Sequence, residues 1–407
     1  MVLFLIDERF LLTKTVICGK IKEDIGKNTL FMIKEILMGI LKKLFPVIAV
    51  FVLMCGCEYD DYSDSHDTVE YEPHEVAEYA NDDEALYQII YDHLSNYEYQ
   101  SIKYYGYPDE DKVFDIVQTV VYEHPEFFWI DTSFLGRSYP KGYTDMDLSL
   151  RGDELPIGRI REMCDEVSEQ ADRIIHNIPV GASDWEKILF VHDDIVRNTW
   201  YQNGDEDDFT DTVYGCLVNG RSQSMGYAQA FQYIMERLGM ECGMFSNGGH
   251  TWNYIRLDGK YYWIDLIFDD PDFGEDVYYN HTRNYFMLDD EHFSENHDLS
   301  KGDNRFVPKC DSFDKYYYIV DGSYMTEYNT DRICEVIAKH SSEEQIEIKF
   351  ENEKDYKDAI EGIRHGVGAM EFMKADIDLS ELSYCWIDDW KVIKLLLGQR
   401  TEEKTSN

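Results

Sequence analysis

The sequence predicts an α+β fold in which a helix packs on an antiparallel sheet, and the region that carries this prediction is residues 214–271. A helix is expected first, because apolar residues recur there with helical spacing on one face: Tyr227, Ala230, Phe231, Ile234 and Leu238. Ser222 or Ser224 is expected to cap this helix, and Gly239 is expected to end it.

Two short signals after the helix predict the sheet. The apolar run at residues 242–245 is typical of a buried strand. Residues 251–257 and 260–264 are typical of a hairpin, because the Asp258-Gly259 pair between them suits a type I′ turn. We expect the helix to pack on these strands.

The register of the hairpin brings a histidine close to an aspartate. Leu257 is expected to pair with Lys260 across the turn. Asp265 then lies opposite Trp252 and diagonal to His250, and these three side chains share a face because side chains alternate with a period of two. Diagonal neighbours lie about 7–8 Å apart. Asp265 is therefore placed to accept a hydrogen bond from His250 and to fix its tautomer.

The start of the helix supplies a third corner for a site. A nucleophile near Ser224 would feel the positive end of the helix dipole. Backbone N–H groups without helical partners could hold an oxyanion there.

Four motifs in this region carry a family resemblance: GRSQSMGYA at 220–228, HTWN at 250–253, YYWID at 261–265 and DDP at 269–271. In order and spacing they resemble the core of the transglutaminase-like superfamily, which has a papain-like Cys-His-Asp arrangement. The segment at 185–201 is similar to the helix that precedes the family's core. The resemblance covers roughly residues 155–300 and implies a papain-like core.

The resemblance implies a site for acyl transfer or for hydrolysis of amide bonds. Its catalytic positions correspond to Ser224 as nucleophile, His250 as base and Asp265 as orienter. Five further positions would line the site: Gln223, Gly226, Tyr227, Trp252 and Asn253. The sequence departs from the family pattern at one position that matters, because Ser224 stands where the family carries its nucleophilic cysteine.

This departure changes the acidity of the nucleophile. A cysteine at a helix N-terminus beside a histidine has a pKa of roughly 3.5–7.5 and forms a thiolate readily. A serine needs a general base that removes its proton during attack. We therefore interpret the chain as a pseudoenzyme that binds a peptide or a glycan, and the alternative is an active enzyme that uses Ser224. Cys216 and Cys242 lie away from the helix start and are not expected to replace the nucleophile.

The N-terminal region predicts export. Residues 32–57 are typical of a secretory signal peptide, with Lys42-Lys43 before an apolar run that is too short to span a membrane. Its ending resembles a bacterial lipobox, with Gly56 before Cys57. We expect a lipid on Cys57 that attaches the protein to the outer face of the bacterial cell membrane as an extracellular lipoprotein. Residues 1–31 fit no signal pattern and are expected to be a misassigned upstream extension or disordered.

The remaining segments are assigned from their composition and periodicity. The acid-rich residues 58–82 are expected to be a disordered linker. Small α+β modules are expected on both sides of the core, at 83–154 and 315–397, followed by a tail at 398–407. Within these modules, strands are expected at residues 97–105 and 316–320. In the core, His192 is expected to be a structural, hydrogen-bonded histidine.

The composition limits the partners. Lys plus Arg total 38 against 81 for Asp plus Glu, a formal charge of −43. Nucleic acid is not expected as a partner, because its phosphates would be repelled. No cofactor or metal is expected either, because the sequence has no phosphate loop, dinucleotide fingerprint or metal-ligand cluster, and its acidic loops lack the EF-hand spacing.

Overall fold

The computed structural model describes residues 78–79, 82–106, 110–138, 143–152, 155–202, 209–270, 281–302, 307–380 and 382–397. The expected upstream extension, the signal peptide with Cys57, most of the linker and the tail lie outside these residues. None of the described helices is both long enough and apolar enough to cross a membrane.

The first described part of the chain combines helices with a four-stranded sheet. Its elements are β1 (Glu78–Tyr79), α1 (Asp83–Ser95), β2 (Ile102–Tyr105), α2 (Glu110–Glu123), β3 (Ile130–Ser138) and β4 (Tyr143–Leu150). The strand order is β1-β2-β4-β3, with β1 parallel to β2 and the other pairs antiparallel. The expected strand at 97–105 is wrong in its first half. Tyr97 and Ser101 have positive φ angles of 62° and 58°, which no regular strand contains.

The central part contains the predicted helix and the predicted antiparallel sheet. Its elements are α3 (Ile157–Asn177), α4 (Asp184–Asn198), β5 (Trp200–Tyr201), α5 (Val213–Leu217), β6 (Arg221–Ser222), α6 (Ser224–Arg237), β7 (Cys242–Ser246), β8 (Thr251–Leu257), β9 (Lys260–Ile264), β10 (Phe286–Leu288) and α7 (Asp290–Phe293). Strands β10-β9-β8-β7 form an antiparallel sheet, and α6 packs on it. The predicted α+β fold, with a helix on an antiparallel sheet, is confirmed.

The N-terminus of α6 differs from the prediction in its cap. The helix begins at Ser224, its N-cap is Gln223, and no side chain caps it. The predicted serine cap is therefore wrong. Ser222 instead donates its hydroxyl to the carbonyl of Thr210 at 2.9 Å, because it belongs to the short strand before the helix. The chain leaves the helix at Gly239, as predicted, with a left-handed φ of 76°.

The last part has a sheet of its own. Its elements are α8 (Tyr317–Asp321), β11 (Tyr324–Met325), α9 (Thr330–Lys339), β12 (Gln345–Phe350), α10 (Glu353–Arg364), α11 (Ala369–Lys374), β13 (Ser383–Ile387) and β14 (Val392–Leu396), and the strand order is β11-β12-β14-β13. The strand expected at 316–320 is wrong, because this aromatic run forms α8. Gly322 closes that helix with a φ of 85°, and Tyr317 and Tyr318 are buried.

Two apolar clusters fill the interior of the described chain. The larger contains residues from both the first and the central part, from Leu86 to Tyr318, and also Val392. The smaller lies within the last part, between Met325 and Leu397. The candidate site lies over the larger cluster, at one end of the central sheet.

Candidate functional site

The hairpin of β8 and β9 brings His250 and Asp265 together. Leu257 pairs with Lys260, as the predicted register requires. His250 immediately precedes β8 and Asp265 immediately follows β9, so both lie at the open end of the hairpin. Nε2 of His250 lies 2.5 Å from Oδ2 of Asp265. The expected hydrogen bond between them is therefore present.

Asp265 is fully buried and has hydrogen bonds to both of its carboxylate oxygens. Oδ1 accepts the backbone N–H groups of Ile267 and Phe268, at 3.0 and 3.1 Å. Oδ2 accepts from His250 and also from Nε2 of His297, at 2.8 Å. Burial alone would raise the pKa of Asp265, but the two histidines bring it well below its usual range. Asp265 is therefore a charged carboxylate at neutral pH.

The charge of Asp265 affects the pKa of His250. Its side chain is 20% exposed. Burial would lower the pKa of His250, but the carboxylate of Asp265 and its hydrogen bond raise that pKa overall. Because Nε2 is occupied by Asp265, Nδ1 is the ring nitrogen that remains for a ligand or a nucleophile.

His297 is the residue of this cluster that the sequence analysis did not identify. It follows α7, and its side chain is 2% exposed. Its ring stacks on Phe293 with 3.8 Å between ring centroids. The sequence feature that could have identified His297 is its four-residue spacing from Phe293. That spacing places both side chains on one face of a helical turn.

Ser224 lies at the first position of α6, where the sequence places the nucleophile. Its side chain is half-buried. The first N–H groups of an α-helix have no partner within the helix, so Ser224 lies among donors that suit a carbonyl oxygen or an anion. Among the described residues, no hydrogen bond joins the Ser224 hydroxyl to His250. The structure thus brings His250 and Asp265 into contact but leaves Ser224 unbonded to them.

Gly226 allows the start of α6 to lie close to the preceding strand. A Cβ atom at this position would lie 2.1 Å from the hydroxyl of Ser222 and 2.5 Å from the carbonyl oxygen of Thr212. Both distances are too short for non-bonded atoms. Glycine is therefore required for the first turn of α6 to approach the preceding strand, and this approach fixes the position of Ser224.

Three of the residues expected to line the site lie beneath it. Tyr227 and Trp252 are 1% exposed and Asn253 is completely buried. Tyr227 donates its hydroxyl to Asp270 at 2.8 Å, and Asn253 donates its side-chain amide to the carbonyl of Ala228 at 2.9 Å. These two bonds tie α6 to the sheet and to the loop after β9. Tyr227 and Asn253 therefore support the site from below.

Trp252 packs against both imidazoles of the cluster. Its ring lies 5.6 Å from that of His250 and 4.9 Å from that of His297, between ring centroids. Gln223, another expected lining residue, is half-buried at the N-cap of α6.

Neither cysteine near α6 is an alternative nucleophile. Cys216 and Cys242 are buried. Burial raises the pKa of Cys216 to about 12 and that of Cys242 well above its usual value. Thiols that stay protonated in an apolar interior are unreactive.

His192 fastens the loop after β9 to helix α4. It is completely buried, with Nδ1 at 3.0 Å from Asp193 and Nε2 at 3.2 Å from Asp269. Asp269 in turn accepts the hydroxyl of Thr282 at 2.8 Å and the backbone N–H of Tyr285 at 3.0 Å. His192 is therefore buried and hydrogen-bonded, as expected, and it stabilises the chain segment that begins at the site.

The pair of histidines with Asp265 is also a possible donor set for a metal. One ligand atom from each of His250, Asp265 and His297 lies within 4.8 Å of the others, and two imidazoles with a carboxylate suit Zn²⁺ or Fe²⁺. A metal-bound histidine usually donates its other ring N–H to an acceptor. Nδ1 of the buried His297 has no such partner among the described residues. The donor set is therefore better suited to the hydrogen bonds it already makes.

No family model matches the sequence, and no curated protein matches it. A search of solved structures finds a protein from Cytophaga hutchinsonii provisionally assigned as a cysteine protease, with 12% identity and a TM-score of 0.22 over 33% of this chain. A structure described as a TGase has 10% identity and a TM-score of 0.25 over 51% of this chain. A protein from Parabacteroides distasonis ATCC 8503, provisionally assigned as a protease, has 11% identity and a TM-score of 0.21 over 35%.

This chain spans 61%, 61% and 36% of the length of these three structures, less than two thirds of each. At such identities and TM-scores the likeness supports no conclusion about activity.

Proposed function

We propose that the chain is a transglutaminase-like lipoprotein of the bacterial cell surface that binds a peptide at Ser224, His250 and Asp265 without turning it over. The observation that carries this proposal is the pairing of His250 with a buried carboxylate while Ser224 makes no hydrogen bond to His250. Surface attachment is supported by the sequence of the signal peptide and by Cys57.

The electrostatics of His250 suit a cysteine better than a serine. Its pKa is raised by Asp265, so the protonated ring persists to higher pH than in free histidine. An imidazolium stabilises a neighbouring thiolate. It cannot accept the proton of a serine hydroxyl, which a serine nucleophile requires. The raised pKa of His250 therefore favours a thiolate over a serine hydroxyl as its partner at position 224.

The same site retains what is needed to bind an amide. The first N–H groups of α6 are donors for a peptide carbonyl oxygen. The imidazole of His250 lies on the accessible side, supported from below by Asp265 and Trp252. Recognition of a peptide carbonyl requires only these donors, whereas turnover also requires an activated nucleophile.

A fluorophosphonate probe tests the absence of turnover, because it labels only activated serines. At pH 7 we expect the wild-type protein to label no faster than Ser224→Ala. Binding is tested by panning a random heptapeptide library on the purified protein and titrating the enriched peptides by fluorescence anisotropy. His250→Ala should weaken their binding. Rapid labelling that depends on Ser224, or binding of glycans with no enriched peptide, would contradict the proposal.

An active serine acyl-transfer enzyme is the second candidate, and the intact hydrogen bond between His250 and Asp265 favours it. In that case the labelling rate must rise with pH through the raised pKa of His250, because only the neutral ring is a base. The pH profile of Ser224 labelling therefore separates the two candidates.

A further inference from the structure

We propose that His297 is a positioning residue of this site, which holds Oδ2 of Asp265 and shares the charge of that carboxylate with His250. The proposal rests on the site assigned above and adds a third residue to it. It follows from the two hydrogen bonds that converge on a single carboxylate oxygen, at 2.5 Å from His250 and 2.8 Å from His297.

The packing of His297 leaves its ring little freedom to rotate. One face stacks on Phe293, with an angle of 22° between the ring planes. Trp252 meets the ring edge-on at 4.9 Å, and Phe268 lies 4.6 Å away, both measured between ring centroids. A side chain that is 2% exposed and enclosed by three aromatic rings has one orientation. Nε2 is therefore directed at Asp265 whether or not a ligand is present.

The hydrogen bonds identify the tautomer of His297. Asp265 is charged and can only accept, so Nε2 of His297 must carry the proton of their hydrogen bond. Nδ1 is buried and has no partner among the described residues. Nε2 of His297 is therefore the ring nitrogen that donates to Asp265.

Sharing the carboxylate limits the influence of Asp265 on His250. Two donors on one oxygen divide its negative charge, so His250 feels a weaker attraction than it would alone. Among the described residues, the titratable groups near the cluster include Tyr285, whose ring lies 5.5 Å from that of His297, and the carboxylates of Asp269 and Glu295, which both act on Tyr285. Burial raises the pKa of Tyr285 above its usual value, so its hydroxyl stays neutral.

The tautomer can be tested in the wild-type protein, without any variant and without any activity. Nitrogen-15 NMR of the histidine side chains should show the proton of His297 on Nε2. A ring that carries its proton on Nδ1 alone would overturn the proposal. Because this readout is independent of turnover and of ligand binding, it does not depend on the proposed function.

Two variants then test the role. His297→Gln retains an N–H group near the position of Nε2. The pKa of His250 in this variant should therefore stay within a few tenths of the wild-type value. His297→Phe keeps the aromatic packing but removes the donor. Oδ2 is then left to His250, whose pKa should rise by about one pH unit. Carbon-bound proton shifts of His250 measure both values by NMR, and thermal unfolding checks that both variants fold.

Three further outcomes would contradict the proposed role of His297. An unchanged His250 pKa in folded His297→Phe, or equal changes in the two variants, would make His297 a packing residue only. A Zn²⁺ titration followed by calorimetry distinguishes the metal alternative. One Zn²⁺ per wild-type chain and none in His297→Gln would make the cluster a metal site and would overturn the proposal.

Discussion

Oδ2 of Asp265 lies 2.5 Å from Nε2 of His250, although the two residues are 15 positions apart in the sequence. The carboxylate is buried and the imidazole is partly exposed, so the charge of the pair is held at the end of the hairpin. Asp265 raises the pKa of His250 and leaves its Nδ1 available.

The first prediction concerns the origin of this raised pKa. In Asp265→Asn the charge is lost while the side-chain volume is kept, and burial then dominates. The pKa of His250 should fall below its value in free histidine, as measured by NMR. Removing a charged, buried hydrogen-bond acceptor should also cost about 2 kcal/mol of unfolding free energy in urea titrations.

Asp258→Asn is the matched control, because Asp258 lies at the turn of the same hairpin and its side chain is 65% exposed. Asparagine suits the left-handed backbone of a type I′ turn. This control should leave both the His250 pKa and the stability nearly unchanged. A wild-type pKa of His250 in Asp265→Asn would show that the carboxylate does not set it.

The second prediction restores sulfur to the site. In Ser224→Cys, the N-terminus of α6 and His250 should bring the thiol pKa well below ~8.5. The variant should react with iodoacetamide at mildly acidic pH much faster than the native cysteines. The described native cysteines all have raised pKa values, so few of their thiols are ionised at acidic pH, and Cys216, Cys242 and Cys310 are also buried.

The double variant Ser224→Cys with His250→Ala is the control for this experiment. It should lose the rate advantage, since the imidazolium is the main stabiliser of the thiolate. Equal alkylation rates with and without His250 would mean that the pocket no longer places the imidazole beside position 224. The rate is measured by mass spectrometry of the alkylated peptide.

The hairpin register was predictable because it depends on local chemistry. The Asp258-Gly259 turn adopts the positive φ angles of 53° and 81° that its residues favour, and the pairing of Leu257 with Lys260 follows. Side-chain alternation then places His250 and Asp265 on one face. The hydrogen bond between them therefore needed no knowledge of distant residues.

Other features depend on long-range packing and were not predictable from local patterns. His297 reaches Asp265 from 32 positions away, and only the tertiary fold shows that contact. The aromatic residues at 316–320 have a strand-like composition, but the chain forms a helix there in which Tyr317 and Tyr318 are buried. Ser222 has a side chain that can cap a helix. It lies instead in the preceding strand, β6, and its hydroxyl donates to the carbonyl of Thr210.

The third prediction concerns the position of Ser224. Gly226→Ala would place a methyl group against Ser222 and Thr212, at 2.1 and 2.5 Å if nothing moved. The first turn of α6 must then shift, and overpacking of this kind costs about 1–3 kcal/mol. Gly158→Ala, in helix α3 with no atom within 4 Å of its Cβ, is the control and should lose no stability. An equal effect of the two changes in urea unfolding would refute this account.

The fourth prediction concerns attachment. In a Gram-positive host, the full-length protein should partition with membranes and incorporate labelled palmitate. Cys57→Ala should abolish the label and either release the protein or block its processing, because the thiol of Cys57 is the expected acceptor of the lipid. Cys55→Ala is the neighbouring control and should keep the label. Acylation that persists in Cys57→Ala would show that the lipobox was assigned to the wrong residue.

The fifth prediction concerns the pH dependence of stability and its origin at His192. Burial would lower the pKa of His192, but hydrogen bonds to Asp193 and Asp269 raise it to about 9. Its pKa in the unfolded chain is about 6.5. A folded-state pKa above the unfolded value contributes stability that is fully present below about pH 6.5. That contribution is lost as the pH rises through about 9.

Several other groups titrate in the same range, so the quantity to measure is a difference between variants. The unfolding free energy of the wild type should exceed that of His192→Gln by the largest amount at pH 6. The difference should shrink between pH 6.5 and 9, with a slope of at most about 1.4 kcal/mol per pH unit. His365→Gln is the matched control, because the side chain of His365 is 81% exposed. A His192 difference that stays constant, or grows with pH, would show that the protonated ring does not stabilise the fold.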